Sequence, residues 1–162
     1  MKVKMKRAAR VLCILAGGGI AGMIAVGRLG KKTAKEQQHA IRAQQVALQM
    51  MARWIKLKQD GRQLAEYFER ENYRSIAIYG MGRLGECLLR ELEKSSITVR
   101  YAIDRQAENI CADIDVVTMD DELEDVDVIV VTPVHSFDEI DFELSKKTDC
   151  PILCLEDVIF DL

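Results

Sequence analysis

The chain has 162 residues, a length that suits one domain with an appendage, and its formal net charge is only −3. That balance hides an uneven distribution, because residues 1–35 carry nine Lys or Arg and no acid, whereas residues 101–162 carry eighteen acids against three bases. The acidic half would repel phosphates and argues against nucleic acid as a partner of the folded domain, while the basic end suits an anionic membrane surface.

The first predicted element is an uncharged segment at residues 11–27, VLCILAGGGIAGMIAVG, with an arginine on either side. Its seventeen residues are at the lower limit for a helix that crosses a bilayer. We predict a basic tail and transmembrane anchor over residues 1–30. Two other interpretations stay open. One is a cleaved signal peptide, because residues 25–27, Ala-Val-Gly, resemble a small-x-small cleavage site; the other is a buried glycine-rich hairpin.

Basic residues lie on both sides of this segment, so the positive-inside rule gives no orientation. The five cysteines fit no zinc spacing and imply no disulfide framework, which favours a reducing compartment. We therefore predict a single-pass membrane protein whose C-terminal domain is cytoplasmic. Gly18 and Gly22 form a GxxxG pair, a spacing that lets two such helices approach closely; the alternative is that small residues are simply common in this segment.

A helical spacer is predicted next, over residues 31–72. Its two helices are expected at residues 36–59 and 62–71. Ile41, Leu48 and Ile55 recur at intervals of seven and form an apolar stripe on the first helix. The stripe has two interpretations, docking on the chain's own domain or a coiled-coil homodimer.

From residue 73 to residue 162, short apolar strands alternate with helical segments. Five strands are predicted, at residues 75–79, 98–103, 115–119, 127–132 and 152–155. Helices are predicted at residues 86–93 and 137–145, with a short helical turn at 120–125. The segment VIVV in the fourth strand is apolar on both faces, as in parallel strands that are covered on both sides. The pattern predicts an α/β fold with a doubly wound parallel five-stranded Rossmann-like sheet.

The turn after the first strand, in SIAIYGMGRLGECLLRELEK, holds three glycines at nucleotide-binding spacing. Gly80 permits a tight turn, Gly82 lets the backbone approach a pyrophosphate, and Gly85 lets helix and strand pack closely. In a parallel sheet this turn lies where ligands bind, and the start of the next helix favours an anion. Asp104 ends the second strand 24 positions after Gly80, close to the separation expected for an acid on a ribose hydroxyl.

The predicted binding site joins this turn to the ends of the second and fourth strands. It comprises Gly80, Met81, Gly82, Arg83, Leu84, Gly85, Asp104, Arg105, Thr132 and Pro133. Arg83 is a candidate partner for a ligand phosphate. Asp104 suits an unphosphorylated ribose and Arg105 a 2'-phosphate, so the choice between NAD and NADP stays open. A glycine turn retained only for the fold is the alternative to nucleotide binding.

Catalytic residues are not predicted, and an enzyme is disfavoured. No tyrosine is followed four positions later by a lysine, so the Tyr-x-x-x-Lys pair of short-chain dehydrogenases and epimerases is missing. About 80 residues follow the first strand, too few for a substrate domain. His135 follows the fourth strand and is a candidate acid, base or ligand contact. Residues 119–127, MDDELEDVD, lack the spacing of a calcium loop, and no metal site is predicted.

Four segments carry a family resemblance: YRSIAIYGMGRLGECLLREL, VRYAIDR, VDVIVVTP and CPILCLEDVI. Together, over about residues 54–162, they resemble the small Rossmann-like domains encoded among bacterial surface-polysaccharide genes and appended to sugar methyltransferases and glycosyltransferases. A related domain begins the nucleotide-sugar acetyltransferases, in which the glycine turn and the strand-end Asp contact a uridine diphosphate sugar. The resemblance implies such a nucleotide or nucleotide-sugar ligand at Gly80, Gly82, Gly85 and Asp104. It implies no transferase activity, because the acetyltransferase repeat domain is missing.

The function expected from the sequence is a membrane-anchored accessory protein that binds a nucleotide or nucleotide sugar in bacterial surface polysaccharide biosynthesis. Its expected ligand is NAD(P) or a uridine diphosphate sugar, and its expected protein partner is a second copy or a polysaccharide-synthesis enzyme. Two alternatives stay open. One is an NAD(P)-dependent oxidoreductase or epimerase-like protein whose substrate site needs a partner chain, and the other is a scaffold with a vestigial pocket.

Overall fold

A five-stranded sheet, with every strand parallel, forms the centre of residues 41–162, the part of the chain that the computed structural model describes. The strands are β1 (Ser75–Tyr79), β2 (Thr98–Ile103), β3 (Asp115–Val117), β4 (Val128–Val131) and β5 (Ile152–Cys154). The described helices are α1 (residues 41–59), α2 (Ala65–Arg70), α3 (Arg83–Leu92), α4 (Phe137–Leu144) and α5 (Leu155–Asp161). This confirms the predicted five-stranded parallel α/β sheet.

The strand order is β3-β2-β1-β4-β5, so β1 is the central strand. From β1 the chain adds β2 and β3 on one side, then returns to add β4 and β5 on the other. At the carboxyl end of β1, Tyr79 pairs with Ile103 of β2 and with Val131 of β4. The order therefore reverses between β1 and β4, and such a reversal opens a crevice beyond the strand ends.

Both faces of the sheet are covered, because alternate residues of each strand point to opposite faces. Ile76 and Ile78 of β1 belong to one apolar cluster, which includes buried side chains of α1, α2, α3 and α5. Ala77 and Tyr79 belong to the other cluster, which α4 completes with Ile140 and Leu144. The fully buried strand β4 contributes to both clusters, which explains its unbroken apolar sequence.

The helix α1 docks on its own domain, but through a different face from the predicted stripe, because Ile41, Leu48 and Ile55 are 55%, 67% and 56% exposed. The docking interpretation of that stripe was therefore wrong. Met50, Trp54 and Leu57 are buried in the same cluster as β1, and residues 45–162 form one compact unit. The carboxylate of Glu91 in α3 secures this contact. It accepts hydrogen bonds from the Trp54 indole N–H and the Leu64 backbone N–H, each at 3.0 Å.

The segment at residues 120–125 is a loop, so the predicted helical turn there was wrong. The carboxylate of Asp121 accepts hydrogen bonds from the backbone N–H and the hydroxyl of Thr118, at 2.7 and 2.8 Å. These local hydrogen bonds between side chain and backbone compete with helix formation, as those of short polar side chains often do. The acids that follow would also repel one another in a helix.

Helix α5 was not predicted from the sequence. Leu155, Val158 and Ile159 are buried at helical spacing, and Glu156 and Asp157 lie in the first turn, where acids stabilise a helix. A helix of seven residues is too short to show a clear helical period of apolar residues in the sequence. The fifth strand consequently ends one residue earlier than predicted.

The predicted membrane span, residues 11–27, lies outside the residues that the structure describes. Within residues 41–162, no helix combines the length and the apolar character that crossing a bilayer requires.

Candidate nucleotide site

The turn between β1 and α3 needs glycine at its first position. Gly80 has a φ of +91°, a conformation that side chains with a Cβ rarely adopt. A Cβ there would lie 2.8 Å from the Pro133 ring and 2.9 Å from the Thr132 hydroxyl oxygen. The buried Thr132 hydroxyl instead donates a hydrogen bond to the Gly80 carbonyl at 2.7 Å. The end of β4 therefore fixes the path of the turn.

The third glycine is required by packing. A Cβ on Gly85 would lie 2.1 Å from the Gly80 carbonyl oxygen, a distance that the backbone would have to relieve by moving. Gly85 is buried in the first turn of α3. Its role is the close approach of helix to strand that the sequence predicted.

The middle glycine has open space around it. Gly82 is the N-cap of α3 in an extended conformation, and a Cβ there would meet no atom within 4 Å. Among the described residues, none accepts a hydrogen bond from the backbone N–H of Gly82, Arg83 or Leu84. Free N–H groups at the start of a ten-residue helix, together with the helix dipole, favour an anion.

Asp104 holds the turn against the end of β2. Its Oδ2 accepts a hydrogen bond from the backbone N–H of Met81 at 2.8 Å, and its Oδ1 accepts one from the backbone N–H of Gln106 at 2.9 Å. A carboxylate has about four acceptor sites. Each oxygen therefore keeps capacity for a ligand hydroxyl, while the Met81 N–H is already used.

A pocket of about 340 Å³ opens beyond the carboxyl ends of β1, β2 and β4. Four predicted site residues line it: Gly80, Asp104, Arg105 and Pro133. The other lining residues are Tyr79, Gln106, His135, Ser136 and Ile140. Of these, the sequence had pointed only to His135. The other four were missed, although Tyr79 ends β1, Gln106 and Ser136 follow strands of the site, and Ile140 lies on α4. All of them are near the carboxyl ends of the strands, where parallel sheets bind ligands.

The pocket carries a fixed cation. A hydrogen-bonding interaction with the Tyr79 side chain raises the pKa of the exposed Arg105 guanidinium, and the nearby carboxylates of Glu139 and Asp104 add to this shift. The folded state therefore favours the charged form of Arg105. The pocket therefore holds one exposed cation, Arg105, beside the Asp104 carboxylate.

The remaining predicted residues lie apart from the pocket wall. Arg83 and Leu84 line a separate groove against α1, so they adjoin the turn through their backbone N–H groups. Met81 is buried beneath the turn, and Thr132 is buried behind it. The structure thus brings the ten predicted residues around one turn, but their side chains are divided between the pocket, the separate groove and the interior beneath the turn.

The described residues contain no cluster of three or more His, Cys, Asp or Glu side chains that could hold a metal ion. Comparison of the chain with protein-family models, with curated proteins and with solved structures finds no match.

Proposed function

We propose that residues 73–162 form a Rossmann-like domain that binds a nucleotide or nucleotide sugar, with the pyrophosphate at the start of α3. The observation that carries the proposal is the combination at Gly82, at the point where the strand order reverses. The first N–H groups of α3 have no acceptor among residues 41–162, and the space beside Gly82 is open for an anion. Asp104 would take a ribose hydroxyl with its remaining acceptor capacity.

The wider role that we propose is that of a membrane-anchored accessory protein in bacterial surface polysaccharide biosynthesis, with its C-terminal domain in the cytoplasm. The support for it is the uncharged segment at residues 11–27 and the resemblance of the four sequence segments to domains of surface-polysaccharide genes. The ligand would then be a uridine diphosphate sugar.

The second candidate is an NAD(P)-dependent oxidoreductase or epimerase-like protein that takes its substrate site from a partner chain. The position of Arg105 favours it, because an exposed cation beside the strand-end acid can accept a 2'-phosphate. Both candidate functions use the same glycine turn. They are therefore distinguished by which ligand binds and by whether a reaction occurs.

The test is thermal unfolding of the full chain, in mild detergent, with NAD, NADP, uridine diphosphate sugars and inorganic phosphate. A ligand at a hundred times its dissociation constant adds about 2.7 kcal/mol to the free energy of unfolding. We expect a nucleotide diphosphate compound to raise the Tm by several degrees. No shift with any compound would leave the turn a purely structural feature, and oxidation or reduction of a nicotinamide would establish the second candidate.

The variant that sharpens this test is Gly82→Asp. An aspartate at an N-cap accepts hydrogen bonds from the first-turn N–H groups, so the unliganded protein should keep or slightly gain stability. The same carboxylate would occupy the groups that we assign to the pyrophosphate and repel its charge, so the ligand-dependent shift should disappear. The exposed Gln49→Glu adds an equal charge on α1 and should retain the shift.

A further inference from the structure

The outer face of α1 carries an apolar stripe that the domain leaves uncovered. Leu48, Met51 and Ile55 follow one another at intervals of three and four residues, so they share one face of the helix. Their exposed fractions are 67%, 46% and 56%. Met51 and Ile55 also form one wall of a groove of about 710 Å³ against α3, which extends the apolar surface beyond the edge of the helix.

The stripe has the spacing of a coiled coil. With Leu48 and Ile55 at the a positions, Met51 occupies the d position between them, and Ile41 continues the a series one heptad earlier in the sequence. The opposite side of the same helix, at Met50 and Leu57, is buried in the domain core. One helix therefore has two apolar sides, of which the domain covers one.

The charge pattern indicates what covers the other side. Residues 43–52, AQQVALQMMA, contain no charged residue, in a chain of which 30% of the residues are charged. In a twofold pair of identical helices, each residue near the axis lies beside its own copy, so a charge there would face a like charge. Leu48 and Met51 lie inside this uncharged segment and satisfy that condition, and Ile55 follows it three residues later. Lys58, at the next d position, pairs with Glu91 of its own domain at 2.9 Å, so the proposed contact ends at Ile55.

We infer that α1 pairs in parallel with α1 of a second copy of this chain, through Leu48, Met51 and Ile55. Isoleucine at a positions is typical of parallel two-stranded coiled coils. The interaction surface is distinct from the glycine turn, so neither proposal depends on the other.

Cysteine cross-linking of the full chain in mild detergent tests this inference. In a parallel pair in register, position 48 lies beside its own copy within disulfide range. On mild oxidation, Leu48→Cys should give several-fold more disulfide-linked dimer than Gln49→Cys, an exposed neighbour that lies off the stripe. All variants share the native cysteines, so the difference reports on position 48.

A second substitution shows whether the stripe produces the pairing. Adding Ile55→Glu to the Leu48→Cys chain should lower the dimer yield several-fold, because two carboxylates would face each other at an a position. Adding Lys56→Glu, also exposed but off the stripe, should leave the yield unchanged. Equal cross-linking at positions 48 and 49, or a dimer yield insensitive to Ile55→Glu, would overturn the inference. The stripe would then be covered by residues 1–40 of its own chain or by a different protein.

Discussion

The Asp104 carboxylate accepts a hydrogen bond from the backbone N–H of Met81, at 2.8 Å across 23 residues of sequence. It thereby joins the end of β2 to the glycine turn after β1. A strand-end acid in this position is expected on a ribose hydroxyl, yet here the same side chain also shapes the turn. Changes at Asp104 should therefore affect both the stability of the protein and its ligand affinity.

Asp104→Ala should lower the free energy of unfolding by roughly 1–3 kcal/mol, because hydrogen bonds to a charged acceptor are lost and the Met81 N–H loses its partner. Urea denaturation of the full chain measures this change. Glu108→Ala removes an exposed acid from the same loop region and should change stability by less than about 0.5 kcal/mol. Equal effects of the two substitutions would show that the Asp104 hydrogen bonds contribute nothing to stability.

Glu91 connects three helical segments and should be among the most sensitive polar positions. Its side chain is 6% exposed, and it accepts hydrogen bonds from Trp54 and Leu64 and pairs with Lys58 at 2.9 Å. Glu91→Ala leaves two N–H groups without an acceptor, so we expect a loss of roughly 2–4 kcal/mol. Chemical denaturation gives the size of the loss.

Trp54 provides a local probe of the same substitution, because it is the chain's one tryptophan. Its emission should shift to the red in Glu91→Ala if the contact between α1 and α3 loosens. The exposed Glu93→Ala is the matched control and should leave both the emission and the stability unchanged. A native emission spectrum in Glu91→Ala would contradict the role that we assign to Glu91 in holding α1.

The sequence predicted the parallel sheet because the signals for it are local. The bounds of β1 and β2 agree with the prediction to the residue, since apolar runs there end at Gly80 and at Asp104. The hydrogen bonds of Glu91 and Asp104 could not be predicted in the same way. The bonds that Glu91 accepts from Trp54 and Asp104 accepts from Met81 join groups more than 20 residues apart, and the residue types alone do not show which N–H a carboxylate will reach.

The division of the site residues between two surfaces was also beyond the sequence. Arg83 follows Gly82 directly and was a natural partner for a phosphate, but the helix turns its side chain toward α1. A helix advances by about 100° per residue, so neighbours on α3 point in different directions. The backbone N–H groups of the turn remain together because they all point out of the helix start.

Asp127 should give a pH-dependent contribution to stability. Its Oδ2 accepts hydrogen bonds from the backbone N–H groups of Arg74 and Ser75, both at 2.7 Å. These bonds favour the charged form, and those from Ser75 and then Arg74 lower the pKa of Asp127 below its usual value. The contribution is therefore complete above the unfolded pKa, about 3.9, and is lost as the pH falls through the lower folded pKa.

Asp127→Asn should consequently destabilise the protein at pH 7, and the difference from the unmodified chain should shrink below about pH 4. Urea midpoints at a series of pH values from neutral to acidic check this. Asp125→Asn, an exposed acid two positions earlier, controls for the general loss of a negative charge. A difference that stays constant across the series would mean that the hydrogen bonds to Asp127 do not depend on its ionisation.

Gly82, the N-cap of α3, and Gly85, in its first turn, should differ in how well they tolerate an added Cβ. Gly85→Ala places a Cβ 2.1 Å from the Gly80 carbonyl oxygen, so the turn must shift, and overpacking of this kind costs about 1–3 kcal/mol or more. Gly82→Ala meets no atom within 4 Å and has a negative φ, so it should cost no more than about 1 kcal/mol, the difference between glycine and alanine at an N-cap. Urea denaturation of the two variants, each compared with the unmodified chain, measures the contrast. Because Gly82 has no steric role in the unliganded fold, a strong loss of nucleotide-dependent stabilisation in Gly82→Ala would reflect contact with the ligand. Equal destabilisation by the two substitutions would contradict the geometry of the turn.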